Sequence, residues 1–209
     1  MKSNIYGMYS DPKEAALQTI LEIGAGSLPI SLNAVCSAYN ISIIPSDKAP
    51  EQFSLPKNEK AMVWQIRDWR IVYDVNLPIE NRRLAIAHEI GHVLLGHNIY
   101  GDTLVKDPEQ EAAADQFALD LLAPGVVWKS MLGYKSMNVI AEVCNILKDA
   151  AKLQLKHNVG EYESGKAYKP LSPLENDIIC KFHPWAENVI AYEEAGKAPP
   201  WEKEKTDNL

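Results

Sequence analysis

The sequence is poor in cysteine, and its three cysteines are not arranged as a framework. Cys36, Cys144 and Cys180 are far apart in a chain of 209 residues, and no two of them form a C-x-x-C pair. Disulfide-rich secreted domains and cysteine-based zinc sites both depend on paired, closely spaced cysteines. The sequence therefore argues against both classes, and we expect three reduced thiols that pack as small apolar side chains.

Positive charge and long apolar runs are also scarce. The chain has 21 Lys and Arg against 28 Asp and Glu, a formal net charge of −7, whereas nucleic-acid binding relies on clustered basic side chains. No apolar run approaches the roughly 20 residues that span a bilayer, and the first residues lack the apolar segment of a signal peptide. We expect a cytoplasmic protein with neither a membrane nor a direct nucleic-acid partner.

The sequence does contain clear helix and strand signals. Asp11 and Asp107 are each followed by proline, a combination that caps a helix and fills its first position. Apolar spacing predicts further helices, and β-branched runs predict short strands. The predicted strands are 41–44, 61–66 and 70–75, and the predicted helices lie within 11–26, 80–96, 107–124 and 136–158. We therefore predict an α+β fold, mostly helical, with a small antiparallel sheet of about three strands.

The segment AIAHEIGHVLLGH, residues 85–97, places histidines and a glutamate in an apolar run. On a helix, His88 and His92 lie one turn apart on one face, so both imidazoles can bind one metal ion. Glu89 lies beside the pair, where its carboxylate can take a proton from water that zinc has acidified. Buried histidines without a partner or a metal are costly. The H-E-x-x-H pattern therefore predicts a catalytic zinc site with Glu89 as general base, rather than two surface histidines.

A catalytic zinc site needs a third protein ligand. The metzincin arrangement requires a histidine six residues after His92, but that position is Asn98. The gluzincin arrangement takes a glutamate from a second helix, and the segment EAAAD supplies Glu111, with Asp115 one turn later on the same face. Asp115 can accept the outer N–H of a ligating histidine. We favour Glu111 as the third ligand over the competing Glu109, which points elsewhere on a helix.

Two consecutive segments resemble the ImmA/IrrE family of zinc metallopeptidases. They are NLPIENRRLAIAHEIGHVLLGH and EQEAAADQFALDLLAP. In that family H-E-[LI]-G-H precedes an E-x-x-A-[ND]-x-F-A-x-x-L-L-x-P segment. The positions of this chain that fall on the second pattern are Glu111, Ala114, Asp115, Phe117, Ala118, Leu121, Leu122 and Pro124. The resemblance covers roughly residues 12–158 and is most specific over 82–124.

The resemblance implies both a site and a function. It implies a gluzincin-like domain with zinc bound by His88, His92 and Glu111, and Glu89 as the catalytic base. It also implies a specific cut in a regulatory protein, typically a helix-turn-helix repressor of a phage, a mobile element or a stress response. We expect the active-site helix to lie against the sheet, whose edge could hold an extended peptide.

A rival hypothesis is a regulatory or antitoxin-like binding module whose zinc site is structural or vestigial. The intact Glu89 argues against it, because a structural site needs no general base.

The domain organisation is predicted from the same patterns. We predict a metallopeptidase domain over 1–158 and a partly disordered C-terminal extension over 159–209, which ends in polar and charged residues. Residues 136–158 indicate two short helices with a tight break, and three lysines spaced four apart follow one face. That arrangement would suit a DNA-binding helix-turn-helix, although the acidic composition argues against it.

Other polar residues have no assigned role. The candidates for a donor that stabilises an oxyanion are Tyr100, Tyr134 and His157. His97 and His183 are lone histidines, which are more often surface or core residues than catalytic ones. Arg82 and Arg83 stand at a helix start, where the helix dipole disfavours cations. This position would suit a specific partner such as a carboxylate, but we favour side chains that extend into solvent.

Overall fold

The computed structural model describes residues 5–65, 67–97, 107–132, 137–163 and 170–195. Within these ranges the chain forms eight α-helices, three β-strands and two short 3₁₀ segments. In chain order they are α1 (Pro12–Glu22), α2 (Leu32–Tyr39), β1 (Ile41–Pro45), the 3₁₀ segments Ser46–Lys48 and Glu51–Phe53, β2 (Ala61–Gln65), β3 (Trp69–Tyr73), α3 (Ile79–Leu95), α4 (Pro108–Leu122), α5 (Gly125–Ser130), α6 (Met137–Cys144), α7 (Lys148–Glu163) and α8 (Pro173–Glu194). The predicted α+β fold, mostly helical with a small sheet, is confirmed.

The two helices predicted from an Asp-Pro pair begin where expected. The side chain of Asp11 accepts a hydrogen bond from the amide of Glu14 at 2.7 Å, and that of Asp107 accepts one from the amide of Glu109 at 2.9 Å. Proline follows each cap, at a position where its missing N–H would have no helical partner. The start of α4 at this cap brings Glu111 into its first turn.

The three strands form one sheet in the order β1–β3–β2. β2 and β3, which correspond to the predicted strands 61–66 and 70–75, form a hairpin and pair antiparallel, whereas β1 pairs parallel with β3. The sheet is therefore mixed, which corrects the predicted antiparallel direction of β1. β1 and β2 lie on either side of β3 and run in opposite directions. The connection between them, which contains both 3₁₀ segments, therefore joins strand ends at the same end of the sheet and passes over the end of β3.

α3 packs against α4 on one side and against β2 and β3 on another, as expected for the active-site helix. Its residues Ile86 and Ile90 are fully buried. At Gly91, α3 comes so close to α4 that a Cβ atom there would lie 3.0 Å from the ring of Phe117 and 3.3 Å from the backbone of Ala114. The absent side chain of Gly91 thus permits the contact that brings the two helices together.

The region predicted as two short helices forms α6 and α7, which are separated at Asn145 with a left-handed φ of 52°. Ile146 and Ala150 are buried, whereas Leu153 is 42 % exposed. That these helices do not bind DNA directly stays a prediction.

The last helix, α8, packs against α1 and α5. Its buried residues are Ile178, Phe182, Ala186 and Val189. This helix falls within the predicted extension over 159–209, and the domain boundary at 158 stays a prediction. The polar end of the chain, 196–209, lies outside the described residues.

The two arginines at the start of α3 do not extend into solvent as expected. Arg83 is fully buried, and its guanidinium donates a hydrogen bond to the carbonyl of Ile30 at 2.8 Å. Burial lowers the pKa of Arg83 to about 10. Arg82 donates to the carbonyls of Val75 and Leu77. Both side chains bind backbone oxygens from other parts of the fold, which a sequence pattern cannot reveal.

The cysteines agree with expectation, since all three are free thiols and two of them, Cys36 and Cys144, are buried. Burial raises the pKa of the Cys36 thiol to about 12, so this thiol stays protonated. Among the helices of the described ranges, none combines the length and the apolar composition needed to cross a membrane.

Candidate metal centre

Three predicted ligands converge at the contact between α3 and α4. His88 and His92 stand one turn apart on α3, with their Nε2 atoms 2.9 Å from each other. The carboxylate oxygens of Glu111 lie 3.5 Å from Nε2 of His88 and 3.4 Å from Nε2 of His92. One ligand atom from each residue lies within 4.8 Å of the other two. These two imidazoles and one carboxylate, of His88, His92 and Glu111, are called the metal group below, and they could hold a metal ion.

Asp115 contacts the group from one turn further along α4. Its Oδ1 lies 2.8 Å from Nδ1 of His88. Burial by itself lowers the pKa of His88, but the hydrogen bond to Asp115 and the negative charges of Glu89, Asp115 and Glu111 outweigh it, so this pKa is raised. A proton held on Nδ1 of His88 leaves Nε2 with the lone pair that a metal ligand needs.

Glu89 lies beside the metal group and faces the sheet. Its Oε2 accepts a hydrogen bond from the backbone amide of Val63 on β2 at 2.9 Å. Glu89 also lines the same cleft as His88 and Glu111. The structure thus places this carboxylate next to the group and outside the set of three ligands, which is the position that a general base would require.

An open cleft of about 290 Å³ gives access to the group. Its walls come from the segment before β2, from α3 and from α4. Four of the five predicted site residues line it, namely His88, Glu89, Glu111 and Asp115. Leu84 and Leu147 add apolar surface to the same cleft. A molecule in the cleft would therefore contact both the metal group and the carboxylate of Glu89.

His97 is a residue of the site that the sequence analysis did not connect with it. It follows Gly96, the left-handed C-cap of α3, and its Nδ1 lies 2.9 Å from Nδ1 of His92. Burial and the nearby charge of His88 lower the pKa of His97, against the opposing charge of Asp107. The sequence does carry one signal for this contact, which is the glycine that precedes His97 at the end of the helix. A glycine in the left-handed conformation turns the chain back towards the last helical turn.

Other candidates lie apart from the group or cannot be placed. Glu109, the competing ligand, is exposed on α4 and is not a member of the group. His183 lies on α8, where its Nδ1 is 3.5 Å from Oε2 of Glu187. The candidate oxyanion donors Tyr100 and Tyr134 lie outside the described residues, as does the side chain of His157.

Comparison with known proteins identifies the family. The family model described as the IrrE N-terminal-like domain, Peptidase_M78, matches residues 36–154. The match spans more than half of the 209 residues and includes all three members of the metal group. Peptidases of this family are metal-dependent. No curated protein matches the chain. The chain belongs to the Peptidase_M78 family, as its resemblance to the ImmA/IrrE peptidases predicted.

Proposed function

We propose that this protein is a zinc-dependent endopeptidase that makes a specific cut in a regulatory protein. The observation that carries the proposal is the convergence of His88, His92 and Glu111 beside a cleft that is lined by His88, Glu111 and Glu89. Membership of a peptidase family implies a protein substrate. The site adds a set of residues whose chemistry suits hydrolysis of a peptide bond.

Zinc is the metal that suits this donor set. Two neutral imidazoles and one carboxylate form a ligand set known from catalytic zinc sites, which keep a further position open. His88, His92 and Glu111 would hold the ion. When bound, zinc supplies Lewis acidity, which acidifies water and polarises a peptide carbonyl.

Glu89 would act as the general base. A carboxylate can accept a proton from the attacking water and later give it to the departing amine nitrogen. The hydrogen bond from the amide of Val63 to Oε2 restricts the rotation of this side chain. The carboxylate is therefore held at the cleft before a substrate arrives, which lowers the entropic cost of reaching the reactive geometry.

The outer edge of β2, which pairs with no further strand among the described residues, would hold the substrate chain. The carbonyl of Lys60 accepts a hydrogen bond from the amide of Asp74, so alternation along the ladder directs the backbone of Ala61 and Val63 away from β3. Val63 meets Glu89 on that side, and Ala61 lines the cleft. An extended peptide that added to this edge would pass next to the metal group.

The resemblance to the ImmA/IrrE peptidases favours a helix-turn-helix repressor of a phage, a mobile element or a stress response as the substrate. Such a repressor carries a basic DNA-binding surface, and this chain has a net charge of −7. Opposite charges of this kind speed up association. Because a repressor acts on DNA, the proposal also implies a cytoplasmic location.

The proposal is tested by co-expression of the chain with a helix-turn-helix repressor from the same genome, with any that is encoded beside it tested first. Mass spectrometry should show one shortened product with the wild type. Glu89→Gln keeps the size of the side chain but cannot accept the proton, so we expect folded, zinc-containing protein and no product. Glu109→Gln, an exposed change on α4, is the matched control and should cut normally.

Three results would contradict the proposal. Normal cutting by Glu89→Gln would refute the role of this carboxylate and leave the metal as a structural ion. Tight binding of the repressor with no cut by the wild type would favour the binding module instead. Digestion of many unrelated proteins would remove the claim of specificity.

A further inference from the structure

A third histidine, His97, contacts the proposed metal ligand His92 on the side of its ring that faces away from the metal group. Nδ1 of His97 lies 2.9 Å from Nδ1 of His92, on the opposite side of the His92 ring from Nε2, the atom that faces Glu111. His97 is only 8 % exposed, so little water can take its place. The contact therefore joins the metal group to a buried side chain that is not a member of that group.

The chemistry of two neutral imidazoles restricts where their protons lie. Each neutral ring carries one N–H and one acceptor nitrogen. If Nε2 of His92 supplies a lone pair to a metal, Nδ1 of His92 must carry the proton. A contact of 2.9 Å between the two Nδ1 atoms then requires an acceptor at Nδ1 of His97, whose own proton is on Nε2.

We propose that His97 is a positioning residue for His92, acting through acceptance of the Nδ1–H of that ring. The inference rests on the proposed metal site. In this arrangement His97 fixes the tautomer and the rotation of the His92 ring, as a hydrogen-bond partner behind a metal-binding imidazole does. His88 has Asp115 in the corresponding position, so each of the two imidazoles has its own partner.

The N-terminal segment holds His97 in place. The hydroxyl of Tyr6 donates to the carbonyl of His97 at 2.7 Å. The amides of Gly7 and Tyr9 donate to carbonyls in the last turn of α3 at 3.1 and 3.2 Å. Gly7 and Gly96 pack so closely that a Cβ atom on Gly96 would lie 2.7 Å from the Cα of Gly7. His97 is therefore supported by a second segment of the chain and by its own turn.

The test compares two nearly isosteric variants. His97→Leu fills the space but offers no acceptor, whereas His97→Asn keeps a carbonyl oxygen that can accept the proton of His92. Zinc affinity is measured by competition with a chromophoric chelator, and the thermal unfolding of the metal-free proteins is measured alongside. His183→Leu, on α8, is the control for loss of an exposed histidine.

We expect His97→Leu to lower zinc affinity by about 10- to 100-fold, with His97→Asn close to the wild type and His183→Leu unchanged. Equal affinity of His97→Leu and the wild type would overturn the inference. So would an equal loss in His97→Asn and His97→Leu, because that loss would come from packing.

A measurement on the wild type keeps the inference testable if a variant fails to fold. In the zinc-loaded protein, long-range ¹H–¹⁵N correlation spectra should place the proton of His97 on Nε2 and that of His92 on Nδ1. A proton on Nδ1 of His97 would overturn the inference. A wild type that binds no zinc would contradict the proposed function as well, whereas the other outcomes concern His97 alone.

Discussion

The two imidazoles of the metal group differ in the partner that each has on its outer nitrogen. His88 meets the carboxylate of Asp115, whose side chain is 69 % exposed, whereas His92 meets the buried His97. A charged acceptor is the stronger partner, but water can replace an exposed one. At the scale of single residues, the support behind the metal group is therefore divided between an exposed carboxylate and a buried imidazole.

Asp115→Ala should weaken the metal site without abolishing it. We expect a loss of about 10-fold in zinc affinity, the lower end of the range for partners of ligands, because water can solvate Nδ1 of His88 at this exposed position. A chelator competition should place the variant between the wild type and Glu111→Ala. Asp149→Ala, an exposed aspartate on α7, is the control. Affinity equal to that of the wild type would show that Asp115 does not support His88.

Spacing along a helix accounts for which of these residues the sequence could predict. His88 and His92 are four apart on one helix, and so are Glu111 and Asp115, so a helical period alone places each pair on one face. His97 lies beyond the end of α3, and its contact with His92 depends on the left-handed φ of 71° at Gly96. Periodicity does not extend through such a turn, which is why His97 could not be assigned.

At the scale of elements, the metal group depends on how closely α3 and α4 approach. Two of the proposed ligands come from α3 and one from α4, and Gly91 faces Phe117 and Ala114 across the contact. Any side chain at Gly91 must displace one of these neighbours, because protein interiors are packed without spare space. We therefore expect the separation of the two helices to control both the stability of the fold and metal binding.

Gly91→Val should therefore impair both properties. Overpacking of a core contact costs about 1–3 kcal/mol, and displacement of α4 would draw Glu111 away from the histidines. Urea unfolding and zinc titration are the measurements. Ala112→Val, at an exposed position of α4, controls for the lower helix propensity of valine. Unfolding and zinc binding of Gly91→Val equal to those of Ala112→Val would contradict this account of the contact.

α8 begins with a capping box that also contacts α1. Ser172 Oγ accepts from the amide of Glu175 at 3.2 Å, and Glu175 Oε2 accepts from the amide of Ser172 at 2.9 Å. Glu175 Oε1 accepts from Lys13 at 2.9 Å. Burial raises the pKa of Glu175, but the contacts with Ser172 and Lys13 outweigh it and leave this pKa below its ordinary value of 4.5.

Glu175→Ala should lower the free energy of unfolding by about 1 kcal/mol at neutral pH, the usual contribution of such hydrogen bonds. A lowered pKa in the folded state stabilises the fold above the unfolded pKa, and this stabilisation is lost as the pH falls through the folded pKa. The difference from the wild type should thus shrink below about pH 4.5. Glu187→Ala, an exposed change on the same helix, is the control. A difference that is independent of pH would refute the role of the charge.

The elements themselves could be predicted in part. The caps at Asp11 and Asp107 and the β2–β3 hairpin depend on neighbouring residues, and local patterns therefore revealed them. The parallel pairing of β1 with β3 joins two strands that are not consecutive in the chain, and the position of α8 depends on contacts with α1 and α5. These are contacts between segments that are distant in the sequence, and a local sequence pattern cannot predict them.

At the scale of the whole molecule, all three residues of the metal group lie within the part of the chain that the family model matches. The match over residues 36–154 contains β1 to β3, α3 and α4, and it includes every residue that lines the cleft. α1 and α8 lie outside it and pack against each other, and α1 also packs against α4. The elements outside the family match thus support the helix that supplies Glu111.

The central claim is that α3 and α4 together hold one metal ion through His88, His92 and Glu111. The most direct test is the metal content of the purified chain, measured by mass spectrometry for the wild type, Glu111→Ala and Glu109→Ala. We predict about one zinc per chain in the wild type and in Glu109→Ala, and a marked loss in Glu111→Ala. Full zinc in Glu111→Ala together with its loss in Glu109→Ala would contradict the claim.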